Sequence, residues 1–364
     1  MSDNKKPNVS IVTILNNSSD FLPLIKYHWE TLNYPKDKLE WILIDDSKES
    51  HQHLLPLHEN ILYINLDSDF YLKDIHFKND DKNITHNYFK KMKKLPNGFK
   101  RDYGVGMSSN EYILHLDIDT FYRPNTIQRK LDFLLRNKLE CVYCDSMLCY
   151  DIFGKQLYKT EQKNGYESTL FHTKDFWRKA GFKWEDITNE ALAFYFNKGM
   201  YRKMDNYFDT VKLLGLHNLN QYHPVKVSLE NMDIKIPEII NTIQTEHPIK
   251  YEIDDLFYGQ EIDVLGINSE IVDILKNDQW KIHNLSHEKK EKEKKLIQKI
   301  QEINKDHQLC ILNTKFPIWH TFEKLTFNCI IIESERNREQ MHSILEKNNY
   351  LLINNLYFHQ NYLI

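Results

Sequence analysis

The sequence predicts an α/β protein built on parallel strands, on three observations. Short β-branched apolar runs end in acidic residues: WILI (41–44) runs into Asp45-Asp46, and EYILHL (111–116) runs into Asp117-Ile118-Asp119. A helical stretch separates the first strand from the second, which is the β-α-β order that a parallel pair needs. After a stretch punctuated by Pro224, Pro237 and Pro248, the same strand and helix alternation begins again.

VSIVTIL (9–15) is a continuous apolar run, as expected of a strand buried on both faces. Phe21, Leu24, Ile25 and His28 with Trp29 then recur at helical spacing, and LNYPKDK (32–38) breaks that helix before WILI. ILYINL (61–66) is a third strand, followed by a polar, Lys-rich stretch to about residue 100. Next come EYILHL, a helix over PNTIQRKLDFLLRNK (124–138) with proline near its first turn, and CVYCDSMLCY (141–150) as a strand. Beyond the prolines, EIDVLGI, SEIVDILKN, QWKIHNL, a Lys/Glu-rich helix at about 287–305, QLCILN, FNCIIIES, REQMHSILEKNN and YLLINNLYF form a second, smaller α/β unit. The predicted domains are 1–248 and 249–364. No internal repeat is found.

Composition narrows the function classes. Forty-eight Lys+Arg against 52 Asp+Glu gives a net charge of −4, so no global basic field selects nucleic acid or an anionic membrane as partner. Five cysteines, an odd count, and an apolar-poor start (MSDNKKPNVS) point to reduced thiols and a cytoplasmic location. No apolar run approaches the ~20 residues of a membrane span, so no transmembrane segment is expected.

Ligands of open parallel sheets bind at the carboxyl ends of strands, where both acidic clusters are predicted to lie. Glu185-Asp186, behind Trp184, is a further acidic pair. Separated carboxylates on one edge suit a divalent metal holding phosphates and a base for a hydroxyl, which is the chemistry of a sugar-nucleotide site.

These residues resemble glycosyltransferase family 2, of the GT-A fold. VSIVTILNN (9–17), ILIDDSKES (42–50), KRDYG (100–104), EYILHLDIDT (111–120) and TLFHTKDFWRKAGFKWEDITNEALAFYFNKG (169–199) follow that family's block order over roughly residues 9–220. Ile14, Asn16 and Asp102 depart from its usual residues. LPLIKYHWETLNYP (22–35) also resembles collagen galactosyltransferases, which would make the acceptor a protein hydroxyl.

The resemblance implies a GT-A domain, a Rossmann-like mixed sheet with flanking helices, acting as a metal-dependent inverting glycosyltransferase (hexosyl- or N-acetylhexosaminyltransferase). It would move sugar from a UDP-sugar to a glycan or protein hydroxyl. In that reading Asp46 accepts from uracil N3–H, Arg101 lines the nucleotide pocket, Asp117 touches ribose and Asp119 binds Mn²⁺ or Mg²⁺ on the diphosphate. Asp186 is the general base, with Glu185 next in line. His217 completes the metal shell, with His172 and His223 behind it.

Simpler roles stand beside these. Asp67-Ser68-Asp69 is a second Asp-x-Asp better suited to capping, Asp45-Asp46 is also turn chemistry, and Asp186 also suits a helix N-terminus. Cys141-x-x-Cys144 lacks the second pair of a zinc site and reads as buried thiols, and HEKKEKEKK (287–295) reads as a solvated helix face. The second unit faintly resembles a nucleotide- or methyl-donor-binding Rossmann half at 264–286, with Gly266 alone in its loop, and is expected to be accessory. Two alternative functions are a non-catalytic sugar-nucleotide or glycan-binding module and a haloacid-dehalogenase-type phosphatase. Phe121 stands where the phosphatase motif wants Thr or Val.

Overall fold

The computed structural model describes residues 6–15, 21–76, 86–87, 89–90, 93–152, 156–161, 165–186, 190–195, 199–205, 210–214, 225–227, 238–242, 262–267, 280–285, 298, 301, 309–312, 327–332, 338–353 and 356–359. The chain packs as two compact units, one of Met1–Asp80 with Phe89–Thr245 and the other of Asp81–Tyr88 with Glu246–Ile364.

In the first unit, β1 (Val9–Leu15), β2 (Leu39–Asp45), β3 (Ile61–Asn65) and β4 (Tyr112–His115) are parallel and ordered β3-β2-β1-β4. Every residue of β1 is buried, which explains its unbroken apolar run. Leu15 pairs with Asp45 and Val12 with His115, so the residues after β2 and after β4 continue along one edge of the sheet. Beyond β4 the sheet turns mixed: β9 (Phe171–Thr173) runs antiparallel to β4 and to β6 (Cys141–Tyr143), and β10 (Tyr201–Lys203) closes the row of seven. A second, five-stranded sheet has the order β12-β8-β7-β11-β5. Its strands are β5 (Thr120–Tyr122), β7 (Ser146–Asp151), β8 (Gln156–Glu161), β11 (Thr210–Leu214) and β12 (Val225–Val227).

Residues 141–150, expected as one strand, are therefore two strands in different sheets. The break falls where backbone and side chain find other partners: the Cys144 amide donates to Thr169 Oγ1 (2.9 Å), and Asp145 pairs with Lys203 (2.7 Å).

Helices flank the large sheet. Leu22–Thr31 has its proline in the first turn, where the missing N–H costs no hydrogen bond, and buries Leu22, Leu24, Ile25, His28 and Trp29. Asn97–Met107 lies directly against β1 and β2. A β-carbon at Gly104 would come 2.6 Å from a Val12 methyl and 3.2 Å from Ile44 Cγ1, so glycine sets how closely this helix approaches the sheet. The α/β class, with a mixed sheet flanked by helices, is as the sequence predicts.

The second unit holds β13 (Ile262–Ile267), β14 (Trp280–Leu285), β15 (Leu309–Leu312), β16 (Cys329–Ile332), β17 (Tyr350–Ile353) and β18 (Leu356–His359) in the order β14-β13-β15-β16-β18-β17. The first four are parallel, and YLLINNLYF supplies an antiparallel hairpin whose β18 pairs with β16. Gly266 is not in a loop: it lies within β13, opposite Asn284 and Ile311. SEIVDILKN and most of the Lys/Glu-rich run lie outside the described residues. All five cysteines are buried and none forms a disulfide. Among the described residues no helix is long and apolar enough to cross a membrane.

Candidate active site

The Asp117-x-Asp119 segment bridges the two sheets of the first unit, leaving β4 and entering β5 through a turn in which the Thr120 amide donates to Asp117 O (3.2 Å). Its position is fixed from several sides. Leu116 donates to Val12 O (3.0 Å) and accepts from Thr13 Oγ1 (2.6 Å), itself an acceptor for Trp41 Nε1 (2.9 Å). The Asp117 amide donates to the Tyr122 hydroxyl (2.9 Å), which donates to Ser168 O (2.8 Å). The Tyr122 amide donates to Nε2 of buried His28 (3.1 Å). Burial pushes the His28 pKa down to about 3, so the ring is neutral and free to accept there.

Among the described residues two cations reach these carboxylates. Arg101, from the Asn97–Met107 helix, donates through Nη2 to Asp117 Oδ1 at 2.9 Å. Lys212, from β11, lies 3.0 Å from Asp119 Oδ1 and 3.8 Å from Asp117 Oδ2. Burial alone would raise the Asp117 pKa, but Arg101 and Lys212 outweigh it and hold the carboxyl below its usual range. The cluster keeps a solvent face: the side chains of Asp117, Lys212 and Asp119 are 16%, 17% and 28% exposed.

Asp45 and Asp46 point into the protein instead. Asp46 Oδ1 pairs with Lys100 Nζ at 3.0 Å, each side chain 1% exposed, and its Oδ2 accepts from the Leu95 amide (2.5 Å). Asp45 Oδ1 accepts from the Ser47 amide (2.8 Å), and its Oδ2 from the Tyr63 hydroxyl (2.7 Å), with His51 Nδ1 at 2.9 Å. Asp46, expected at the uracil ring, thus has both oxygens engaged by protein.

Asp186 O accepts from the Gly98 amide (2.9 Å) in the first turn of the helix that carries Arg101. A β-carbon at Gly98 would lie 2.1 Å from Lys183 O, so this contact requires glycine. Asp102, noted as a departure from the family, organises the segment: it accepts from Trp177 Nε1 (2.7 Å), the Phe182 amide (2.9 Å) and Trp184 Nε1 (2.8 Å). Trp184, 40% exposed, packs edge-on against Phe99. One helix thereby joins Asp186 through Gly98 to Asp117 through Arg101.

His217 and His223 lie outside the described residues. His172 is no metal candidate: it is buried with Nε2 3.0 Å from His115 Nε2 and Nδ1 against Thr173 O. Asp67 caps the turn Ser68–Tyr71, accepting from the Asp69 and Phe70 amides, so the competing Asp-x-Asp is a local cap. Among the described residues no group of three or more His, Cys, Asp or Glu side chains could hold a metal ion. The one expected ligand among them, Asp119, is occupied by an ammonium. These residues do not fit the Mn²⁺ or Mg²⁺ that the resemblance implies.

Sequence reading misses Lys212 and Tyr122. For Lys212 a signal exists: it is the single charged residue in the apolar strand VKLLGL. For Tyr122 there is none, because its partners are brought together only by the fold.

No protein-family profile and no curated protein sequence matches the chain. Solved structures similar to it include S. aureus TarS 1–349 in complex with UDP-GlcNAc, at 12% identity and TM-score 0.40, covering 68% of this chain and 66% of that one. Another is the mannosyltransferase PcManGT from Pyrobaculum calidifontis in complex with GDP-Man and Mn²⁺, at 11% identity and TM-score 0.37, covering 66% and 69%. Against another structure of S. aureus TarS 1–349 the matched region spans 60% of that chain's length, at 11% identity and TM-score 0.39 over 57% of this chain.

Proposed function

We propose that the first unit is a glycosyltransferase of the family-2, GT-A type, transferring sugar from a nucleoside-diphosphate sugar to an acceptor hydroxyl with inversion. The observation that carries this reading is the Asn97–Met107 helix, which holds Arg101 on Asp117 at 2.9 Å and seats Asp186 one turn away. The order of the five sequence blocks supports it independently.

In this reading Asp117 faces the ribose and Arg101 fixes its carboxylate. Asp186 takes the proton of the acceptor hydroxyl as that oxygen attacks the anomeric carbon. The bond from the anomeric carbon to the β-phosphate oxygen breaks, and its electron pair leaves with the nucleoside diphosphate. Asp46 we assign to the fold, since a base contact would have to displace Lys100 or the Leu95 amide. UDP-sugars remain the first donors to test, with GDP-sugars beside them, because the expected uracil contact no longer selects between them. The acceptor is a glycan or protein hydroxyl, reached over the Trp184 side.

The phosphatase reading fits less well, since Asp117 is tied to Arg101 rather than open as a nucleophile. Incubation with UDP- and GDP-sugars, assaying nucleoside diphosphate, should show release. Asp186→Asn should cut turnover by about 10²–10⁴-fold with nucleotide affinity unchanged. Binding without release would favour a non-catalytic module, and absence of both would overturn the reading.

A further inference from the structure

A divalent ion in a sugar-nucleotide site neutralises the diphosphate. It needs an oxygen-rich, net-negative seat to bind. The described side chains around Asp117-x-Asp119 give a different balance: two carboxylates face one guanidinium and one ammonium. The ammonium is built in. Lys212 sits in the middle of β11, paired with Thr120 of β5 on one side and Cys149 of β7 on the other, and the next amide, Leu213 N, donates to Asp119 O (2.8 Å). Backbone hydrogen bonding thus fixes the lysine in register with the acidic turn. Its Nζ lies 3.0 Å from Asp119 Oδ1, where an ion bridging that carboxylate to a phosphate would face direct charge repulsion.

We propose that Lys212 does the work expected of the metal: its ammonium, seated on Asp119, receives the diphosphate of the nucleotide donor, and donor binding needs no divalent cation. This rests on the nucleotide-sugar reading above. A lysine ammonium carries three N–H donors, so the group can serve a carboxylate and a phosphate oxygen together. As a point charge it binds phosphate without the fixed geometry of a guanidinium. Asp119 then acts as a positioning residue, holding the charge where the leaving group departs.

The test is calorimetric titration of UDP, GDP and UMP into the full chain, in excess EDTA and again with Mn²⁺. The wild type should bind a nucleoside diphosphate within about twofold equally in both. Lys212→Met should weaken diphosphate binding about 10- to 100-fold in EDTA, as expected for loss of a charge-assisted hydrogen bond, and weaken UMP binding far less. Removing the ammonium leaves Asp117 and Asp119 in excess over Arg101, so the variant should gain Mn²⁺ binding, and Mn²⁺ should restore part of its diphosphate affinity. Lys212→Arg should retain most of the metal-free affinity and guards against a folding defect in the methionine variant. Diphosphate binding by the wild type that vanishes in EDTA would overturn the proposal while sparing the nucleotide reading, as would unchanged affinity in Lys212→Met. Absence of UDP and GDP binding under both conditions would overturn both.

Discussion

After β2, Asp46 and Lys100 pair with 1% of each side chain exposed, whereas after β4 the Asp119–Lys212 pair leaves 28% and 17% open on the same edge of the sheet. Read as letters, the two clusters are alike, each a pair of aspartates ending an apolar strand. Burial separates them. Lys100 and the Leu95 amide consume the oxygens of Asp46, and His51, Tyr63 and the Ser47 amide consume those of Asp45. The first cluster therefore joins the Asn97–Met107 helix and the loop after β2 to the sheet, and the second keeps a solvent face.

The difference is broken most directly by removing one carboxylate from each. Asp46→Ala strands a buried ammonium and should cost about 3–5 kcal/mol, measured by denaturant unfolding followed through tryptophan fluorescence. Asp119→Ala loosens a partly exposed pair and should cost below about 1 kcal/mol. The double change Asp46→Leu with Lys100→Met should be less destabilising than Asp46→Ala alone, because no buried charge then lacks a partner. Equal costs for Asp46→Ala and Asp119→Ala would erase the distinction.

How much of this was legible follows from where the partners lie. Arg101, Asp117 and Asp119 stand in short contiguous blocks whose order can be read along the chain, and the structure brings Arg101 onto Asp117. Lys212 acts 93 residues away from Asp119, through a β5 to β11 pairing that no local pattern announces. The role of Asp46 depended on Lys100, one residue before the arginine that was singled out, and nothing in KRDYG says which of the two basic side chains turns inward. The 141–150 run hid its break because apolar stretches lie on either side of Asp145-Ser146, although those two polar residues themselves mark the place.

Asp102 sharpens the comparison as an intermediate case, a carboxylate that accepts from two indoles and one amide. Asp102→Ala should cost about 1–3 kcal/mol, with a change in Trp184 emission, since that indole loses its acceptor. Asp102→Asn keeps one oxygen acceptor and should cost less. A neutral Asp102→Ala would mean that the segment 177–184 is held by packing alone.

The smallest effect is in pH. His51 is raised above its ordinary pKa chiefly by its hydrogen bond to Asp45, and Asp45 is lowered because the bonds from His51, Ser47 and Tyr63 outweigh the opposing effect of burial. The histidine's contribution is complete below its unfolded pKa of about 6.5 and is lost as pH rises through the raised value. The aspartate's is complete above about 3.9 and is lost as pH falls through the lowered value. Between pH 6 and 8 the wild type should therefore lose more stability than His51→Gln, by less than about 1 kcal/mol, readable as a difference in Tm. The Asp117–Asp119 cluster has no histidine bonded to its carboxylates among the described residues, and Asp119→Asn should leave this slope unchanged.

The measurement that bears most directly on the central claim is a crystal structure of the chain grown with UDP in the presence of EDTA. The account predicts a diphosphate oxygen within hydrogen-bonding distance, about 2.7–3.2 Å, of Lys212 Nζ, with Asp46 still paired to Lys100. A nucleotide seated on Asp46 with Lys100 displaced, or a diphosphate bound away from Lys212, would contradict it.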